Sequence, residues 1–206
     1  MTEHRLDLAA AVLLALCAVA TAWSSYQATH WNGEAQKASG RTNALRIQAA
    51  RAQGLSQSQT QIDVATFTQW VDAYARGERR LRSFYFERFR PEFKPAVEAW
   101  IATRPLKTPN APLTPFAMPQ YRLAAAAAAK QLDAASQQSA AGVLRNIQRA
   151  SDCVLAVVLF AVALFFAGMG AKLRVARIRM LMVGLAGVVF LGALIWIATF
   201  PVSFSV

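Results

Sequence analysis

Three long apolar stretches, uncharged except for Asp152 at the start of the second, dominate the pattern of apolar and polar positions along the chain. They predict membrane-spanning helices at 8–26, 152–171 and 180–200. None of these stretches shows a polar face at helical spacing, and each approaches the roughly 20 residues needed to cross a bilayer. The first stretch also resembles a signal peptide with a cleavage site after Ala22. The acidic residues before it weaken its positive charge, which favours an uncleaved anchor.

Between the first two spans, the pattern changes to the three- and four-residue spacing of amphipathic helices. Span one is expected to continue as a stalk to about residue 52, followed by a turn at 53–58. The next helix carries an apolar stripe made of Val64, Phe67, Val71 and Tyr74 and is interrupted at Gly77. A proline-rich loop is predicted at 104–119, and the alanine-rich helix after it runs into span two. The predicted fold is therefore all-α, with an antiparallel helical bundle at 27–151 inserted between spans one and two.

The short loop at 172–179 determines the predicted orientation, because it carries four cations and no acid. These topology determinants are Lys172, Arg174, Arg177 and Arg179. Lys and Arg in short loops are retained in the cytoplasm, so residues 1–7 and this loop are expected inside. The bundle at 27–151 and the tail at 201–206 are then expected outside. Aromatic anchors at the outer interface are predicted at Trp23, Tyr26, Trp31 and Trp196.

Charge narrows the classes of partner. The region 27–151 holds 17 Lys and Arg against 8 Asp and Glu, which is +9 of the chain's net charge of +11. Because this region is predicted to lie outside the cytoplasm, nucleic acid is not expected to be the partner of its cations. Besides the lipid bilayer itself, anionic lipid headgroups or envelope polymers are the expected anionic partners, while solvated helix faces are the simplest explanation of the scattered cations.

The sequence contains none of the common catalytic, nucleotide-binding or metal-binding motifs. There is no P-loop, no GxGxxG after a strand, no HExxH and no Cys/His cluster. His4 and His30 are the only histidines, and His30 has no second ligand or base nearby in sequence. Cys17 and Cys153 are expected at different membrane depths, which excludes a disulfide. We therefore predict a non-enzymatic protein with no catalytic, cofactor-binding or metal-binding residues.

The most promising contact surface is an aromatic and arginine-rich segment at 79–93, called the elbow below, together with the adjoining proline-rich loop. Its candidate partner contacts are Arg82, Phe86, Arg88, Arg90, Phe93 and Phe116. Three consecutive rings at 84–86 cannot all face one core, since successive helical residues lie about 100° apart. Aromatic residues beside arginine are enriched at binding hot spots. The alternative is that Phe84 and Phe89 are core residues and Phe86 packs under the loop.

Four segments carry a resemblance to a known family. They are WSSYQAT at 23–29, QIDVATFTQW at 61–70, FRPEF at 89–93 and PFAMPQYRL at 115–123. In these segments the chain resembles bacterial three-span membrane proteins classified only as a domain of unknown function. The resemblance covers most of the chain and implies a bacterial inner membrane. It implies no activity and transfers no functional residue.

Two functional hypotheses follow. The first is a structural or accessory membrane protein whose outer bundle docks a protein partner, a second copy of the chain or an envelope component. The second is a ligand-sensing, receptor-like domain that signals through a partner subunit. The second rests on an architectural analogy with sensor domains in which two stalks frame an outer helical bundle.

Overall fold

The computed structural model describes residues 2–105, 107–173 and 175–199, with side chains from residue 7 onward except at 176. Within these ranges, five α-helices and one short 3₁₀ helix follow one another. They are α1 at Thr2–Ala75, α2 at Arg79–Glu87, α3 at Lys94–Ala102, the 3₁₀ helix at Pro115–Ala117, α4 at Ala124–Lys172 and α5 at Ala176–Ala198. The described ranges contain no strand, which confirms the all-α prediction.

Three of these helices are long and apolar enough to cross a membrane, as predicted. The candidate spans lie within Asp7–Ala75, Ala124–Lys172 and Arg177–Ala198. The predicted tail at 201–206, the last residue of predicted span three and the topology determinant Arg174 lie outside the described residues.

Two local predictions for α1 are wrong. The predicted turn at 53–58 is helical, because a glycine without a proline costs only about 1 kcal/mol and does not stop a helix that is already propagating. The predicted apolar stripe is rotated on the helix. Of its four members only Phe67 is buried, and the buried face carries Asp63, Phe67, Trp70 and Ala73 instead. The predicted interruption at Gly77 is confirmed, since this residue adopts a left-handed φ of 72° two residues after the end of α1.

The chain folds into two compact units. Unit one comprises residues 1–40 and 139–206, and unit two comprises residues 41–138. Within unit one, α1, α4 and α5 share a core that includes Cys17, Phe160, Ala163, Phe190 and Ala193. Cys17 and Cys153 are both buried and free. Alanines at the core positions allow the helices to approach closely.

Gly170 marks a close approach of α4 to α5 within unit one. A Cβ added at Gly170 would lie 3.0 Å from Cγ2 of Val183 on α5. Gly184 and Gly187 on α5 have no neighbour within 4 Å of such a Cβ, so they are not positions of close packing. Arg179 at the start of α5 forms an ion pair with Asp7 of α1.

Unit two is built around an aromatic core. Its buried members are Phe67, Trp70, Phe89, Phe93 and Val97. Half-buried rings from α2, α3 and the segment before α4 pack against them. The core therefore joins α1, the elbow, α3 and the end of the proline-rich loop into one structure.

Candidate functional site

Phe93 lies at the centre of the rings in unit two. Its ring centroid is 5.1 Å from that of Phe116 in a stacked arrangement and 5.6 Å from that of Tyr121 in an edge-to-face arrangement. Phe67 of α1 also meets Phe116 edge to face at 5.9 Å. Such pairs stabilise beyond their buried area by about 0.5–1.5 kcal/mol each. They hold the end of the proline-rich loop against α1.

Beside these rings lies a buried polar network centred on Asp63 of α1. An Nη1–H of Arg90 donates to Oδ2 of Asp63 at 2.9 Å, and the hydroxyl of Tyr121 donates to the same oxygen at 3.1 Å. Arg90 also pairs with Glu92, whose Oε1 accepts a hydrogen bond from the backbone N–H of Ala124 at 3.1 Å. The network therefore connects α1, the elbow and the first residue of α4.

Burial governs the electrostatics of this network. Desolvation raises the pKa of the Asp63 carboxyl, and the charge of Arg90 opposes that rise. Desolvation also raises the pKa of the Tyr121 hydroxyl, with a further upward effect from Asp63. Oδ1 of Asp63 is buried and has no hydrogen-bond partner among the described residues. The arrangement stabilises the packing of unit two, with Asp63 fully buried and the side chains of Arg90 and Glu92 20% and 31% exposed.

Unit two also contains a cavity of about 690 Å³, located between the end of α1, α2, α3 and the start of the proline-rich loop. Four aromatic rings line it, namely Trp70, Tyr74, Phe86 and Trp100. The indole N–H of Trp100 donates to the carbonyl oxygen of Pro112 at 2.7 Å, which sets the orientation of that ring. The cavity therefore has a largely apolar wall made of flat surfaces.

The charged part of the lining is predominantly cationic. Arg82, Arg104 and Lys107 face the cavity together with one acid, Glu87. The guanidinium of Arg82 lies 5.5 Å from the ring centroid of Tyr74, within the range of a cation–π interaction. Three cations against one acid favour a negatively charged occupant.

Arg104 holds its place through an unusual backbone conformation. It follows α3 with a left-handed φ of 51°, which costs a residue with a Cβ roughly 1 kcal/mol relative to glycine. Its N–H donates to the carbonyl of Ile101 at 3.0 Å, and its own carbonyl accepts from the N–H of Lys107 at 2.8 Å. This tight turn places two cations of the loop on the cavity.

The structure distributes the six candidate partner contacts among three environments. Arg82 and Phe86 line the cavity. Arg88 is exposed, and its guanidinium lies 3.6 Å from the ring centroid of Phe84, which is 45% exposed and not a core residue.

The remaining three contacts belong to the interior. Phe93 is fully buried, so it is a core residue rather than a surface contact. Arg90 is bound by two carboxylates and is only 20% exposed. Phe116 is half-buried and packs on Phe93. These three residues hold the site in shape and offer little surface to a partner.

Sequence reasoning missed the cavity because its lining comes from four separate segments. A usable signal existed for the polar network. Asp63, Phe67 and Trp70 occupy positions i, i+4 and i+7, so a lone carboxylate shares one helix face with two large rings. Such a carboxylate is expected to need a buried cationic partner.

The predicted interface anchors lie in unit one. Trp23 and Tyr26 are in ring contact at 5.8 Å, and Tyr26 stacks on His30 at 6.4 Å. Trp31 lies under the guanidinium of Arg149 at 4.4 Å. Trp196 lies near the end of α5 and is half-buried.

Of the described topology determinants, Lys172 and Arg177 are exposed, while Arg179 forms the ion pair with Asp7.

Within the described ranges, no three His, Cys, Asp or Glu side chains are grouped closely enough to hold a metal ion.

Comparisons of the chain with protein-family models, with curated proteins and with solved structures found no significant match.

Proposed function

We propose that this chain is a non-enzymatic, multi-pass protein of a bacterial inner membrane whose unit two lies outside the cytoplasm and binds a ligand in its cavity. Three helices long and apolar enough to cross a membrane support the first part. The cation-rich loop at 172–179 supports a cytoplasmic location for that loop. The ion pair between Arg179 and Asp7 is consistent with residues 1–7 lying on the same side. The assignment to a bacterial inner membrane rests on the family resemblance.

The observation that carries the proposal is the cavity of about 690 Å³. Small-molecule sites are concave, measure roughly 300–1,000 Å³ and combine apolar walls with a few polar groups. A site of this kind favours the ligand-sensing hypothesis over docking through an extended face. Trp70 and Tyr74 of the cavity wall belong to α1, the same helix that contains candidate span one. Ligand binding would therefore act directly on a membrane-anchored helix.

A second candidate function, docking of a protein partner or a second copy of the chain, is favoured by one feature of α2. Phe84 is 45% exposed, and the exposed Arg88 stacks over its ring. An exposed ring paired with arginine is typical of a protein contact. This surface lies on a different side of α2 from the residues that line the cavity, so the two functions are separable by mutation.

Native mass spectrometry of the full chain, purified from its own membranes after chemical crosslinking, tests both candidates. We expect a small-molecule adduct on the wild type. Ile101→Trp places a large ring in the cavity wall and should remove the adduct. Ala102→Trp is the matched control, because Ala102 is the exposed neighbour on α3 and does not line the cavity.

The possible results separate the hypotheses. An adduct that survives Ile101→Trp, or no adduct on the wild type, contradicts ligand binding in the cavity. A crosslinked protein that is retained by Ile101→Trp and lost in Phe84→Ala instead supports the docking function.

A further inference from the structure

We infer that the cavity of unit two selects a small organic anion with a flat apolar body and a carboxylate-like head group. This inference rests on the proposed function, because it requires the cavity to be a binding site. It adds the chemical class of the ligand, which neither the shape of the cavity nor the family resemblance supplies.

The apolar body is specified by the aromatic wall. The rings of Trp70 and Tyr74 are stacked, with centroids 5.6 Å apart and planes within 20° of each other. Trp70 is buried and also stacks on Phe67, so the 44% exposed ring of Tyr74 is the more accessible of the two. Phe86 and Trp100 line the same cavity. Aromatic faces prefer offset-stacked or edge-to-face neighbours, so a planar or conjugated body gains more here than a bulky aliphatic one.

The head group is specified by the cations. Within the described residues, none of Arg82, Arg104 and Lys107 belongs to an ion pair. Arg90 in the same elbow is in contrast held by two carboxylates. A neutral ligand would displace water from these three cations without compensating their charge, which is unfavourable. A carboxylate would accept charge-assisted hydrogen bonds, which are shorter and stronger than neutral ones.

The backbone of Arg104 further supports a binding site at this place. It occupies a left-handed position that glycine would adopt without strain, and strained backbone positions cluster at ligand-binding sites.

The test compares three ligands that share one body and differ in charge. They are 1-naphthaleneacetate, its neutral amide 1-naphthaleneacetamide, and the cation 2-(1-naphthyl)ethylammonium. Each is titrated calorimetrically into the full chain in zwitterionic lipid nanodiscs. We expect the anion to bind at least about tenfold more tightly than the amide, which corresponds to about 1.4 kcal/mol, and the cation to show no binding.

A charge-matched pair of double variants locates the effect. Arg104→Gln with Lys107→Gln should remove the preference for the anion and leave the affinity for the amide unchanged. Arg46→Gln with Lys130→Gln removes the same net charge from exposed positions of unit two that do not line the cavity. This control should keep the full preference, because long-range attraction between exposed charges is screened by salt.

The outcomes distinguish this inference from the proposed function. Equal binding of the anion and the amide, with both lost in Ile101→Trp, overturns the anion assignment and leaves the cavity as a ligand site. Loss of preference in both double variants also overturns it, because the effect would then come from net charge. If the chain carries a native adduct but binds none of the three probes, the anion assignment is overturned and the proposed function stands. If the chain binds no probe and carries no adduct, both the anion assignment and the proposed function are overturned.

A repeat in nanodiscs containing phosphatidylglycerol addresses membrane lipid as the occupant. Unchanged affinity for 1-naphthaleneacetate supports a soluble anion. Competition by the anionic lipid would mean that a lipid head group occupies the cavity, and this would overturn the inference.

Discussion

Replacing Arg90 with alanine gives the sharpest test of how unit two is held together. Asp63 is fully buried, and Arg90 is its only cationic partner among the described residues. Arg90→Ala leaves the carboxylate with a single hydrogen bond, from Tyr121 at 3.1 Å, and also removes the partner of Glu92. The change therefore acts on the connection between α1, the elbow and α4.

The expected loss of stability follows from burial. Removing one partner of a buried ion pair costs about 3–5 kcal/mol, since the remaining charge is left uncompensated. The low end of about 3 kcal/mol applies here, because Arg90 is 20% exposed and the hydroxyl of Tyr121 remains. A loss of this size raises the population of opened unit two by roughly a hundredfold, at about 1.4 kcal/mol per factor of ten.

The loss should depend on pH with a definite sign. Burial raises the pKa of Asp63 above its ordinary value of 3.8, and Arg90 limits that rise. A carboxyl whose pKa is higher in the folded state than in the unfolded chain favours folding at any pH below its unfolded pKa. This favourable contribution is lost as the pH rises through its folded pKa. Without Arg90 the folded pKa rises further. The destabilisation should therefore be largest at neutral pH and should shrink as the solution is acidified and Asp63 becomes protonated.

Hydrogen exchange of the full chain, read by mass spectrometry at peptides covering 63–70 and 89–97, measures the free energy of local opening. Arg88→Ala is the matched control, because Arg88 is exposed and loses only its contact with Phe84, worth about 0.5–1 kcal/mol. Asp63→Leu with Arg90→Met should recover much of the lost stability, since apolar replacement of a buried pair is often neutral or better. Exchange in Arg90→Ala that matches the Arg88→Ala control at neutral pH would refute the reasoning, as would a loss that grows on acidification.

Three further predictions concern single backbone positions and topology. Arg104→Gly should be more stable than Arg104→Ala by about 1 kcal/mol, since glycine accepts the φ of 51° without a Cβ clash, and equal melting temperatures would contradict this. Gly170→Ala should lower the thermal stability of the chain in detergent by about 1 kcal/mol, because its Cβ would meet the α5 valine side chain at 3.0 Å. Gly168→Ala, with open space around the added Cβ, should not, and equal losses would refute the close approach. Ser58→Cys should react with a membrane-impermeant thiol reagent in cells freed of outer barriers, and Val175→Cys should not. The two native cysteines are buried and are not expected to react with the reagent. The reverse labelling pattern would invert the topology.

Local sequence alone determined the candidate spans, the break at Gly77 and the proline-rich loop, although it wrongly predicted a turn at 53–58 within α1. An uncharged run in lipid must satisfy its own backbone hydrogen bonds and therefore becomes helical whatever its neighbours are. The break at Gly77 and the proline-rich loop at 104–119, whose described residues contain no α-helix, likewise follow from residues whose backbone preferences are local. No distant partner is needed to predict any of these features.

Only the tertiary structure decided which face of α1 is buried and what each arginine does. Val64 and Phe67 are both apolar, yet Val64 is 44% exposed while Phe67 is buried against rings contributed by α3 and the loop. Arg82 and Arg90 lie in one segment, but Arg90 reaches Asp63 across 27 residues and becomes structural, while Arg82 lines the cavity. Burial and ion pairing depend on contacts between segments that are far apart in the chain. The periodicity of a single helix contains no information about which segments those will be.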